Sequence, residues 1–224
     1  MGIIRVGALF LAGIVVSSAA SAAGLHGQVS LVSGDIQSSL ADLTDTVVFY
    51  KPDSEVRVRP LGGDLTITMR GKSFVPHVLA ITDGSTVRFA NSDPILHNVF
   101  STSSPNDFDM GLYGTGPGKT KTFDHTGLVR VYCNVHHEMF AYILVLDTPY
   151  FTTVHEDGSF DLGSIPPGPG ELTVWNPRGE VWRQHLAGLS VDALSVQLKL
   201  TRNGVPAHFN KFGKPYDKNA NPGY

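Results

Sequence analysis

The stretch Cys133-Asn134-Val135-His136-His137-Glu138-Met139 sets a thiol, two imidazoles and a thioether close together in the chain. The spacing Cys-x-x-His-x-x-Met brings one thiolate, one imidazole and one thioether into reach of a common point by local geometry alone. Those donors suit copper in both oxidation states. Soft sulfur favours Cu(I), imidazole tolerates Cu(II), and two histidines and a cysteine with a weak axial methionine form an electron-transfer arrangement. The second imidazole must come from elsewhere in the chain. His97 is the candidate, because Ile95, His97 and Val99 share one face of a predicted strand. Zinc is the competing metal, but structural zinc sites favour a full Cys/His tetrad and seldom use methionine. Taken singly, Cys133 reads as a core thiol, Met139 as core packing and His97 as a hydrogen-bonded strand histidine; their joint spacing points to a metal. His136 is favoured as the loop imidazole, with His137 as the alternative. Glu138 reads as a solvated charge. His77, His125, His155, His185 and His208 show no pairing and read as structural or surface residues.

Cys133 is the single cysteine, so no internal disulfide can form. A thiol in an oxidising compartment is open to oxidation unless something occupies it. The compartment follows from the N-terminus. Arg5 precedes the apolar run from Val6 to Val16, and small residues follow to Ala23. That order is the layout of a secretory signal peptide over residues 1–23, cleaved after Ala22 or Ala23. The run is short for a bilayer span, which needs about 20 apolar residues, so the expectation is a periplasmic or otherwise exported protein without stable membrane insertion. Net charge is −3 with no basic patch, which argues against nucleic acid as a partner.

The elements that must position these donors read as strands. Long helix-periodic stretches are absent, and short β-branched and aromatic runs lie between Gly, Pro, Asp and Asn clusters, the pattern of an all-β chain. Val129, Val131 and Cys133 alternate, so Cys133 ends a strand on its inward face. Gln28–Val32, Thr46–Tyr50, Leu65–Met69, Thr120–Phe123, Ala141–Leu146 and Glu171–Trp175 read as strands. Asp83-Gly84 between Val78–Thr82 and Ser85–Ala90 predicts a hairpin, and Asp157-Gly158 signals another. Residues 101–121 read as a long polar loop, 189–200 as an amphipathic strand pair, and 51–60 as a linker. Gly114-Thr-Gly-Pro-Gly118 lacks the strand-to-helix context of a phosphate loop.

From about Met69 to Asp147 the chain resembles the plastocyanin/azurin-like cupredoxins. The residues that carry the likeness are Phe74-x-Pro76, Gly84-x-x-Val87-x-Phe89-x-Asn91, His97-Asn98-Val99, Phe123, Gly127 and Tyr132-Cys133-x-x-His136-x-x-Met139. The compact ligand loop looks most like that of amicyanin. The resemblance implies a Greek-key β-sandwich over residues 65–147 holding one type 1 (blue) copper ion through His97, Cys133, His136 and Met139. It also implies that Asn98 ties the two ligand loops together and that His136 shows an imidazole edge to solvent. Pro94, Val135, Met139 and Phe140 would then form an apolar docking rim.

The flanks resemble a carboxypeptidase regulatory-like β-sandwich more loosely, through Asp157-Gly158-x-Phe160-x-Leu162-x-x-Ile165-Pro-Pro-Gly168 and Val174-Trp175. The implied second, smaller sandwich takes its first strands and linker from 24–60 and the rest from 148–201, leaving 202–224 as an extended or disordered tail. Phe209, Phe212 or Tyr216 could dock locally. The combination also resembles exported proteins labelled methylamine-utilisation-like. The expected function is single-electron transfer between redox partner proteins, such as a c-type cytochrome or a periplasmic dehydrogenase, without enzymatic turnover. The alternatives are copper storage or delivery, disfavoured by the lack of any Met- or His-rich tract, and an interaction module carrying a passenger copper domain.

Overall fold

The computed structural model describes residues 23–33, 40–188, 193–202 and 208–216. The signal-peptide segment 1–22 lies outside the described residues, and no helix among those described is long and apolar enough to cross a membrane. In chain order the elements are β1 (Ala23–Val32), α1 (Leu40–Thr44), β2 (Val47–Pro52), β3 (Leu65–Arg70), β4 (Ser73–Val75), β5 (Val78–Thr82), β6 (Ser85–Asn91), β7 (His97–Ser101) and β8 (Phe108–Tyr113). There follow β9 (Gly116–Phe123), β10 (Gly127–Tyr132), β11 (Phe140–Leu146), β12 (Tyr150–Thr153), β13 (Ser159–Ile165), β14 (Gly170–Trp175), β15 (Trp182–Leu186) and β16 (Leu194–Lys199). The described residues are all-β apart from one short helix.

Among the described residues four sheets form, in the orders β5-β11-β10-β7-β8, β4-β3-β6-β9, β13-β1-β16 and β12-β2-β14-β15. The first two enclose one apolar core, with Ile67, Val87, Phe89 and Phe123 meeting Val99, Val129, Val131 and Ile143. The last two enclose another, in which Leu25, Val29, Phe160 and Val196 meet Val48, Tyr50, Leu172 and Val174. β1 and β2 thus share sheets with strands that follow residue 149, and residues 65–146 build their own pair of sheets between them.

Strand β11 explains how the two halves join. Its period-two alternation sends Ala141, Ile143 and Val145 into the first core. Tyr142, Leu144 and Leu146 point the other way, onto Val47 of β2 and Trp175 of β14. A strand buried on both faces reads as an unbroken apolar run, which is what residues 141–146 show. Lys51 pairs with Asp147 at the edge of this seam.

Several local expectations are corrected. β5 pairs with β11, whereas β6 pairs with β3 and β9. Asp83-Gly84 is therefore a corner between sheets and not a hairpin. Gly84 supplies the needed φ of 78°, and its N–H donates to Phe123 O while Asp83 N–H donates to Leu146 O. Asp157-Gly158 is likewise a corner, between β12, which pairs with β2, and β13, which pairs with β1. Turn chemistry fixes the backbone angle, but burial decides which sheet each strand joins. Residues 101–121 contain β8 and β9. Both are edge strands, with Asp109 exposed on β8 and Pro117, Lys119, Thr120 and Thr122 exposed on β9, the kind of residues that protect sheet edges. In the 189–200 stretch β16 is a strand, residues 189–192 lie outside the described residues, and β15 was not anticipated. Of the aromatic residues expected to dock in the tail, Phe209 and Phe212 are exposed, whereas Tyr216 reaches the site described next.

Candidate metal centre

Cys133 leaves β10 in the phase of Val129 and Val131, and all three are fully buried in the same core. The loop that follows is closed at its neck, where Cys133 N–H donates to Met139 O at 3.0 Å and Met139 N–H donates to His136 O at 2.9 Å. These two bonds turn His136 back toward Cys133 and bury Met139 among the residues that surround it. His97 opens β7 on the neighbouring strand. Asn91 shapes the loop before it by donating to Ile95 O at 2.9 Å and accepting from Asp93 N–H at 2.9 Å.

Three donor atoms converge. Cys133 Sγ lies 3.9 Å from His97 Nδ1 and 3.8 Å from His136 Nδ1, and the two nitrogens are 3.1 Å apart. The centre of this triangle is roughly 2 Å from every corner, the length of a bond from a transition metal to imidazole or thiolate. Among the described residues these three form the group of His, Cys and acidic side chains able to hold a metal ion, and all three are buried. Two imidazoles and a thiolate, with the Met139 thioether packed in the same cluster, fit copper by the chemistry of the donor set.

Electrostatics readies the Cys133 thiol and the His136 imidazole for a metal, whereas His97 is biased toward its protonated form in the metal-free protein. Burial opposes ionisation of the Cys133 thiol. Hydrogen bonds from His97 and from the backbone amides of Asn98, His136 and Val135 outweigh it and bring the thiol below its ordinary pKa. Burial also opposes protonation of His97, but its bonds to Cys133 and Asp93 prevail and raise it. For His136, burial comes first, joined by the charges of His97 and Lys72, and holds the imidazole below its usual pKa.

Asp93 is the site residue that the sequence reading missed. Its Oδ2 accepts from His97 Nε2 at 2.8 Å, which orients the ring so that Nδ1 faces the donor triangle. Burial works against its charge. The backbone N–H groups of Lys72 and Gly71, at 2.9 and 2.6 Å, and His97 hold its pKa below the ordinary carboxylate value. The available signal was an acid four residues before a candidate ligand, inside a turn rich in hydrogen-bonding side chains.

Two expectations about the rim are corrected. His136 is 8 % exposed, and its Nε2 is buried with no hydrogen-bond partner among the described residues, so no imidazole edge faces solvent. The Gly71-Lys72 turn, drawn in by Asp93, stands on this side, close enough for the Lys72 charge to act on His136. Pro94 is exposed, Val135 and Phe140 are half-buried, and Met139 is buried. Asn98 does not bridge the loops with its side chain alone: its Nδ2 donates to Asp109 Oδ1 at 2.7 Å. His137 is exposed, with its ring 5.7 Å from that of Tyr216. Among the other histidines, His77 meets Asp45 at 2.5 Å and packs on Phe140 and Tyr142, His185 meets Asp53 at 2.9 Å, and His208 stacks on Tyr132.

No protein-family model and no curated protein matches this chain. Among solved structures, a reduced amicyanin mutant aligns at 18% identity over 44% of this chain and 99% of its own, with a TM-score of 0.36. A purple cupredoxin from Nitrosopumilus maritimus aligns at 24% identity over 37% of this chain and 100% of its own, with a TM-score of 0.33. A copper-containing nitrite reductase from Thermus scotoductus aligns at 25% identity over 53% of this chain but 28% of its own, with a TM-score of 0.37.

Proposed function

We propose that the chain would hold one copper ion through His97, Cys133 and His136, with the Met139 thioether as a weaker fourth donor, and serve as an exported carrier of single electrons. The observation that carries this reading is the triangle of 3.1, 3.8 and 3.9 Å between two imidazole nitrogens and one depressed-pKa thiol, closed inside a sandwich core. A bound copper ion supplies a one-electron Cu(II)/Cu(I) couple. The chain's own residues supply rigidity and dryness. Asp93 holds the His97 ring, the Cys133–Met139 backbone bond closes the ligand loop, and Cys133 lies in one apolar core with Val99 and Val131. Donors fixed before the metal changes charge need little rearrangement afterwards, which suits electron exchange.

Full burial of His97 and Cys133 counts against copper delivery, where a receiving protein must reach the ligands. No second cluster of His, Cys and acidic side chains among the described residues offers a further metal site for turnover. Redox partners would be proteins, and export is the compartment that the N-terminal sequence suggests.

The test is an anaerobic copper titration followed by visible absorption and EPR. The expected result is one equivalent of copper with an intense thiolate-to-Cu(II) band that disappears in Cys133→Ala. A colourless protein that takes zinc in preference to copper would sink the reading. Reversible one-electron voltammetry with fast self-exchange separates a carrier from a storage protein.

A further inference from the structure

The C-terminal segment 208–216 lies against the ligand loop, far in sequence from any donor. Lys211 makes two bonds there. Its N–H donates to Asn134 Oδ1 at 3.0 Å, and its Nζ donates to Asp109 Oδ2 at 2.7 Å. Asn134 is the neighbour of Cys133. The other oxygen of Asp109 accepts from Asn98 Nδ2 at 2.7 Å, and Asn98 is the neighbour of His97. One lysine therefore closes a path between the two ligand-bearing segments: His97-Asn98, Asp109, Lys211, Asn134-Cys133. Tyr216 adds a third contact, its hydroxyl donating to Cys133 O at 3.4 Å. His208 adds a fourth, stacked on Tyr132 at 4.0 Å between ring centroids.

The segment is preshaped for this. Asn210 Oδ1 accepts from the N–H groups of Phe212 and Lys214, and Asn210 N–H donates to Lys214 O. Gly213 takes the left-handed turn at φ 70°. Residues 210–214 are thus a closed turn that presents Lys211 with little conformational freedom left to lose. The Lys211 side chain is 24% exposed and that of Asp109 40%, so water only partly screens the pair.

The geometry points to Lys211 as a positioning residue of the metal centre, and to segment 208–216 as a clamp that fixes the spacing between His97 and Cys133. The inference rests on the reading of those residues as metal ligands. It differs from a passive tail in one respect: removing Lys211 must loosen residues 134–138 even though no core contact is lost.

The experiment uses the full chain with Lys211→Met, Lys211→Arg, Asp109→Asn, the Lys211→Met/Asp109→Asn double variant, and Lys214→Met as a control from the same turn. In the metal-free protein, amide hydrogen exchange of residues 134–138 is expected to quicken about tenfold in Lys211→Met and in Asp109→Asn, as for loss of one charge-assisted hydrogen bond. The double variant is expected to go no further, because both changes break one link. Lys211→Arg keeps most of the protection and Lys214→Met keeps all of it. In the copper-loaded protein, Lys211→Met is expected to release copper to a chelator about tenfold faster and to shift the EPR hyperfine splitting. Unchanged exchange in Lys211→Met, or additive effects in the double variant, would overturn the clamp. Failure of the parent protein to bind copper sinks the proposed function instead, and the metal-free exchange still decides the clamp.

Discussion

His97 donates its Nε2–H to Asp93 Oδ2 across 2.8 Å, and the same carboxylate accepts the backbone N–H groups of Gly71 and Lys72. One buried side chain thus sets the tautomer of a candidate ligand and fastens the turn between β3 and β4 beside it. A histidine whose outer nitrogen is held by a carboxylate is both oriented and made a better donor.

Asp93→Ala is expected to lower copper affinity by roughly 10–100-fold, the usual effect of losing a residue that orients a metal ligand. It leaves two backbone N–H groups without their acceptor, so the metal-free protein should also lose on the order of 1–3 kcal/mol of stability. Chelator competition and urea denaturation measure the two effects separately. Unchanged affinity would show that the His97 ring is held in place by packing alone.

The seam between the two pairs of sheets is apolar and centres on Tyr142 and Trp175, whose rings stand 5.8 Å apart edge to face. Trp175→Ala removes a large side chain that is 8 % exposed and should cost about 3–5 kcal/mol. The copper absorption band should keep its position, since Trp175 belongs to the seam and not to the core around Cys133. A calorimetric scan of the parent protein should show one transition. Two separate transitions, with only one moved by Trp175→Ala, would show that the halves fold independently.

Asp109 gives the clamp a pH signature. Burial opposes its charge, but Lys211, the Gly111 amide and Asn98 outweigh burial and hold its pKa below the ordinary 3.8. A depressed carboxylate contributes stability that is fully present above the unfolded-state pKa and is lost as pH falls through the folded-state value. The Lys211 tie should therefore still be intact at pH 3.8 and fail only as pH falls through the lower folded-state value. NMR titration of the Asp109 carboxyl carbon should give a midpoint below 3.8 in the parent and one closer to 3.8 in Lys211→Met. Equal midpoints would mean that Lys211 does not meet Asp109 in solution.

Much of the donor set was legible in the sequence because it obeys local rules. Val129, Val131 and Cys133 alternate, so strand parity alone aims the thiol inward, and the short loop leaves His136 and Met139 little room to be elsewhere. His97 was readable through its phase with Val99. What the sequence hid is non-local. Asp83-Gly84 and Asp157-Gly158 specify a backbone angle but not which sheet takes the next strand. β9, an edge strand, carries no apolar alternation, and β8, in which Phe108, Met110 and Leu112 do alternate, is masked by the Asp, Gly and Pro around it. Lys211 has no feature that separates it from Lys214, and its role exists only because the fold returns the C-terminal segment to Asn134 and Asp109.

His136 and His137 are adjacent, yet the structure separates their roles. His136 turns Nδ1 to within 3.8 Å of Cys133 Sγ and 3.1 Å of His97 Nδ1. His137 points away, exposed beside Tyr216. His136→Ala should abolish the intense thiolate-to-Cu(II) band or replace it with a weaker, shifted one, because a donor is lost from a trigonal set. Added imidazole should restore part of the band by entering the space left behind. His137→Ala should leave the band and the EPR parameters in place and affect copper release by less than about threefold, as expected for an exposed side chain outside the donor set. Absorption and EPR spectra of both variants, each loaded with one equivalent of copper, decide between them. Retention of the parent spectrum in His136→Ala with its loss in His137→Ala would reverse the assignment and require the loop to turn one residue further than the Met139 N–H to His136 O bond allows.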